Sequence, residues 1–111
     1  MATATKETVF TSKLGIESYM LAVISTGHVS EKTHEIFENA EMYDLHCVSN
    51  LPYGWLVRLW NHDVTWEETM LQAGVDGETM KNLRTLESLG YTVLMFDRDG
   101  EISPLLVEFE Y

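Results

Sequence analysis

His46-Cys47-Val48-Ser49-Asn50-Leu51-Pro52-Tyr53-Gly54-Trp55-Leu56-Val57-Arg58-Leu59-Trp60 holds two β-prone runs, 46–50 and 55–60, around a turn. In Leu51-Pro52-Tyr53-Gly54 proline takes the second turn position and glycine the fourth, as a type I turn favours. Along the second run Trp55, Val57 and Leu59 share one face, and Leu56, Arg58 and Trp60 share the other. Both faces are largely apolar, so the run reads as a central strand.

The flanking sequence supplies strands to pair with it and helices to cover it. Upstream, Tyr19 to Ser25 is a short, continuous apolar run that reads as a strand. Thr26-Gly27-His28-Val29 then leads to Ser30, an N-cap for a helix over 31–40. At 100° per residue Thr33, Ile36, Phe37 and Ala40 fall on its inner side, and Glu31, His34, Glu35 and Glu38 on its outer side. Downstream, Thr65-Trp66-Glu67-Glu68 is a capping-box pattern and Gly74 a stop. Asp76 caps a second helical stretch to Gly90, with Met80, Leu83 and Leu86 facing inward. Thr92 to Phe96 is another strand, and Asp99-Gly100 a hairpin signal. After Pro104, Val107, Phe109 and Tyr111 alternate with Glu108 and Glu110, which predicts an edge strand over Leu105 to Tyr111.

The order is β-α-β-β-α-β-β, with residues 1–18 an N-terminal arm or weak first strand and 19–111 a single α+β domain. A two-layer sandwich follows, with helices on one face of a mixed, mainly antiparallel sheet. At 12.7 kDa the folded surface should be roughly 6,200 Å² against roughly 18,000 Å² for the open chain, so a core forms without disulfide or metal staples.

Composition excludes several function classes. Seven Lys and Arg stand against 18 Asp and Glu, a net charge of −11. No basic surface is on offer to displace counterions, so direct binding to nucleic acid or to an anionic membrane is not expected. Cys47 is the single cysteine, which rules out an intramolecular disulfide and suits a reducing cytoplasm. The first residues have no signal-peptide core, and no apolar run approaches the roughly 20 residues that span a bilayer.

Site motifs are few. Asp97-Arg98-Asp99-Gly100-Glu101-Ile102 looks like the middle of a calcium loop, but that alignment puts Met95 and Leu106 at the first and last ligand positions. The histidines and Cys47 have no metal spacing, and His46 and Cys47, adjacent on a strand, point to opposite faces. No metal and no cofactor is expected. Ser25, Thr26 and His28, at a strand end entering a helix, form with Asp97 an alternative small-molecule or anion loop. Among the aromatics, Trp66 is the candidate interface anchor.

The acids cluster: Glu31, Glu35, Glu38, Glu41 and Asp44; then Asp63, Glu67, Glu68, Asp76 and Glu78; then Asp97, Asp99, Glu101, Glu108 and Glu110. Such carboxylates could imitate phosphates in a basic groove. A helical stripe presents one charge per about 5 Å, whereas duplex DNA presents one per roughly 1.7 Å.

Four segments carry a resemblance: Ser25-Thr26-Gly27-His28-Val29-Ser30 with Thr33; Tyr53-Gly54-Trp55-Leu56-Val57; Met95-Phe96-Asp97-Arg98-Asp99-Gly100; and Leu106 to Tyr111. Together they resemble an uncharacterised bacterial domain family of small acidic proteins from plasmids, phages and other mobile elements. The resemblance implies no activity to transfer. It implies a mobile-DNA setting, where small acidic proteins inhibit host-defence complexes of the CRISPR or restriction kind. The expectation is a non-enzymatic binding protein in the bacterial cytoplasm. It would dock on a basic, nucleic-acid-binding host or mobile-element protein through Glu31, Glu35, Glu38, Glu67, Glu68 and Trp66. The alternatives are a ligand binder or enzyme using the 25–28 loop, and a homodimer pairing through the last strand.

Overall fold

A computed structural model describes residues 9–11 and 17–110. β1 (Val9–Thr11) and β2 (Glu17–Tyr19) pair antiparallel as a two-stranded sheet. The expected run from Tyr19 to Ser25 is thus divided: Tyr19 ends β2, and β3 is Leu21–Ser25. The rest of the expected arm, 1–8 and 12–16, lies outside the described residues.

The main sheet adds β4 (Val48–Leu51), β5 (Gly54–Arg58) and β6 (Val93–Asp97), in the order β3-β6-β5-β4. β3 and β6 run parallel, and the other two pairs antiparallel. β5 has neighbours on both edges, as its two apolar faces predict. Leu51 pairs with Gly54 across Pro52 and Tyr53, neither of which takes a positive φ, so the tip follows the proline-led turn.

The register aligns Ile24, Phe96 and Trp55 in one row and Ala22, Leu94, Val57 and Val48 in the next, all on one face. These residues join the buried sides of three helices, α1 (Glu31–Glu38), α2 (Trp66–Ala73) and α3 (Gly77–Ser88), in a single core. Ser30, Thr65 and Asp76 cap these helices, each accepting a hydrogen bond from the backbone N–H three residues on. α2 and α3 close alike: Gly74 and Gly90 take positive φ, and the N–H groups of Val75 and Tyr91 reach back to the carbonyls of Met70 and Leu86. Thr33, Ile36, Phe37 and Ala40 are buried, as are Met80, Leu83 and Leu86.

Two expectations are corrected. No strand forms over Leu105 to Leu106 or on to Glu110, so the structure offers no ladder there for a homodimer to extend. β3 and β5 take both edges of β6, and the chain beyond it spends its backbone hydrogen bonds outside any ladder: the Glu101 carbonyl accepts from the Ser25 N–H, and the N–H groups of Ser103, Val107 and Phe109 donate to His28, Asn82 and the Gly27 carbonyl. Asp99-Gly100 still turns, but Gly100 lies flat against the Ile24–Ser25 peptide, where a Cβ would come within 2.5 Å of the Ile24 carbonyl carbon. The chain then crosses to α3. Trp66 is also not an exposed anchor. At 2% exposure it is core, and its indole Nε1 donates to Glu87 Oε2 at 2.9 Å. As the first residue of α2, its ring drops inward beneath the helix.

Candidate functional site

β3 and β6 point the same way, and beyond their carboxyl ends their connections diverge: one enters α1, the other leaves for the C-terminus. Open sheets bind ligands in such crevices. A cleft of about 230 Å³ lies here, between α1, the β4–β5 turn and the end of β6. His34 and Glu38 of α1 form one wall. Asn50, Pro52 and Tyr53 form another, with Trp55 at the base and Arg98 and Thr26 at the rim.

Backbone periodicity explains the cast. Arg98 continues the inward alternation of Leu94 and Phe96, and its N–H donates to the Tyr53 carbonyl at 3.0 Å, one step beyond the β5–β6 ladder. The inner face thus ends on a cation. The His34 ring meets Trp55 edge-on at 4.7 Å and 84°, and its Nε2 lies 3.0 Å from the Thr26 carbonyl. A carbonyl only accepts, so Nε2 carries the proton. Gly54 makes the corner possible: a Cβ there would stand 1.7 Å from the Phe96 carbonyl oxygen. Among the described residues, the side chains of Arg98, Glu38 and Tyr53 have no hydrogen-bond or ion-pair partner.

The residues of the alternative loop do not converge on this cleft as a set. Only Thr26 lines it. Ser25 is buried, and its hydroxyl caps the Gly27 N–H at 2.9 Å. Asp97 Oδ1 accepts from the Asp99 N–H at 2.8 Å. His28 is fully buried and holds the C-terminal segment. Its Nδ1 donates to the Val107 carbonyl at 2.9 Å, and its Nε2 accepts from the Ser103 N–H at 2.9 Å. Those partners require the neutral Nδ1–H tautomer. Asn82 completes the latch, donating to the carbonyls of His28 and Val107 and accepting from the Val107 N–H at 2.8–2.9 Å.

Of the candidate docking acids, Glu31, Glu35, Glu38 and Glu68 are exposed. Glu35 accepts from the Tyr43 hydroxyl at 3.1 Å, which raises the Tyr43 pKa. Glu67 pairs with Arg84 at 2.6 Å and is the one carboxylate in contact with a lysine or arginine among the described residues. Asp44 meets His46 at 2.8 Å. Asp76 is a structural clip. Burial pushes its carboxyl up, but hydrogen bonds from Ser30, the Thr79 N–H and the hydroxyls of Thr33 and Thr79 outweigh it and hold the pKa at about 2. Burial pushes the Cys47 thiol up, away from the reactive thiolate. No three His, Cys, Asp or Glu residues are grouped to hold a metal among the described residues. Likewise, no helix of theirs is long and apolar enough to cross a membrane.

Residues 21–111 match the C-terminal domain of a family of unknown function, DUF5983. The chain belongs to that family. No curated protein and no solved structure matches it. The DUF5983 match begins where β3 begins, leaving β1 and β2 outside. Within the DUF5983 domain, three of the four segments quoted for the resemblance meet at the cleft, contributing Thr26, then Tyr53 and Trp55, then Arg98. The fourth lies behind it, where the Phe109 N–H donates to the Gly27 carbonyl at 2.9 Å.

Sequence reasoning missed most of the cleft. His34 was assigned to the acidic outer stripe, and Arg98 to a turn. A signal existed for Arg98: a charge two residues after Phe96, at the next inward register position.

Proposed function

We propose that this protein is a non-enzymatic binding protein that docks, through an acidic surface, on a cationic, nucleic-acid-binding protein. One observation carries this: of its many carboxylates, only Glu67 is neutralised by a lysine or arginine among the described residues, while Glu31, Glu35 and Glu38 stand exposed along one side of α1. Their field steers a positive partner into encounter and repels nucleic acid. Charges spaced about 5 Å apart along a helix serve docking better than close imitation of a DNA backbone. The mobile-element setting implied by the resemblance makes a bacterial host-defence complex, of the CRISPR or restriction type, the partner class, met in the cytoplasm.

The test is retention of lysate proteins on the immobilised chain, eluted by a salt gradient. The expected result is a nucleic-acid-binding protein that elutes with salt, is displaced by duplex DNA, and is lost when Glu31, Glu35 and Glu38 are changed together to lysine. Retention indifferent to salt and to the triple change would overturn the proposal.

A further inference from the structure

We infer that the cleft between α1 and the β4–β5 turn binds a small zwitterion of amino-acid size, with its carboxylate on Arg98 and its ammonium group at Glu38. Both side chains line the same opening, yet they form no ion pair with each other or with any other described residue. Opposite charges that line one cavity without pairing are matched by a ligand that carries both.

Charge discriminates among ligand classes. An anion gains Arg98 but meets Glu38, inside a protein of net charge −11. A cation is drawn by that field but meets Arg98 in the cleft. A zwitterion pairs with both groups and has no net charge for the field to repel. Its carboxylate suits the planar fork of the guanidinium, which binds such groups through two parallel hydrogen bonds. Asn50 also lines the cleft; its amide nitrogen donates to the Phe37 carbonyl at 3.4 Å, which leaves its amide oxygen as an acceptor.

Size fits such a ligand. At about 230 Å³ the cleft falls below the roughly 300–1,000 Å³ of sites for drug-sized ligands. The base is apolar and braced: Trp55 is 4% exposed, with the His34 edge and Phe37 packed on it at 4.7 and 5.5 Å. Tyr53, 43% exposed at the turn tip, offers its ring to the ligand's side chain. Close backbone approach at Gly54 keeps the β5 side from yielding, so the ordering cost of binding falls on the exposed side chains of Arg98, Glu38 and Tyr53.

The inference shares Glu38 with the docking surface but does not rest on it, because Glu31 and Glu35 do not line this cleft and Arg98 is no part of that surface. The experiment is calorimetric titration of the full chain with each of the twenty free amino acids in turn. At least one is expected to saturate a single site. Arg98→Gln and Glu38→Gln are each expected to weaken it by roughly tenfold or more, the loss of one charge-assisted hydrogen bond. Glu41→Gln, an exposed acid outside the cleft, should leave it unchanged. The amide and the N-acetyl derivative of the same amino acid should each bind at least about tenfold more weakly. Absence of binding by all twenty, or binding that survives Arg98→Gln or amidation, overturns the inference.

Discussion

His28 and His34 leave the same corner of the sheet for opposite environments. His28 is buried with both ring nitrogens committed to the C-terminal segment, and with Asn82 it clamps Val107 from both sides. His34 stands in the wall of a cleft whose Arg98, Glu38 and Tyr53 side chains have no internal partner among the described residues. In the latch, every polar atom of His28 and Asn82 that faces inward is matched, so the segment is held without any β-ladder. In the cleft, the polar ends of Arg98, Glu38 and Tyr53 are gathered and left unmatched among the described residues. Polar groups in the first region stabilise the fold; in the second they are available to something else.

Substitutions at four positions test that contrast. Gly54→Ala should be the most damaging, because a Cβ 1.7 Å from the Phe96 carbonyl oxygen forces β5 and β6 apart. We expect a loss above about 4 kcal/mol in urea unfolding, or no folded protein. Wild-type stability would mean that the cleft floor is not rigid.

Asn82→Ala removes three hydrogen bonds to His28 and Val107. At about 1 kcal/mol each, the expected loss is about 3 kcal/mol. Amide exchange at Val107 and Phe109 should accelerate while β5 and β6 stay protected. Unchanged protection there would sink the latch.

Asp76→Ala should cost about 1–2 kcal/mol as a lost helix cap. Asp76 also predicts a pH dependence. Its carboxyl has a lower pKa in the folded state, about 2 against 3.8, so its contribution is present above the unfolded value and disappears as pH falls through about 2. Asp76→Asn should flatten that acid limb of the unfolding profile.

Arg98→Gln should change stability least, by within about 0.5 kcal/mol, since its exposed side chain holds nothing internally. A large loss would place Arg98 with the latch instead.

The central hairpin, the three helices and their caps were legible because each is a local pattern. Pro52 and Gly54 mark a turn, Ser30, Thr65 and Asp76 cap helices, and Gly74 and Gly90 stop them, whatever surrounds them. The last strand was misread for the opposite reason. Alternation of Val107, Glu108 and Phe109 describes what a strand would look like but says nothing of the buried His28 and Asn82 side chains that take the Val107 backbone groups instead. Trp66 was misplaced because a tryptophan at a helix start looks the same whether its ring faces water or core. Of the cleft, Thr26 and Glu38 were visible as candidate residues, but as parts of two different sites, and the cleft that joins them was not.

Local chemistry in the chain determined the hairpin, the helix ends, the inward faces and the strong negative charge, since these depend on neighbours a few residues apart. Strand order and the contents of the cleft came only with tertiary structure. Beyond β6 the C-terminal segment takes its hydrogen bonds at His28 and Asn82 rather than on an open sheet edge. The strand pairing brings Arg98 into the same cleft as Glu38, a meeting of distant positions that no local pattern encodes.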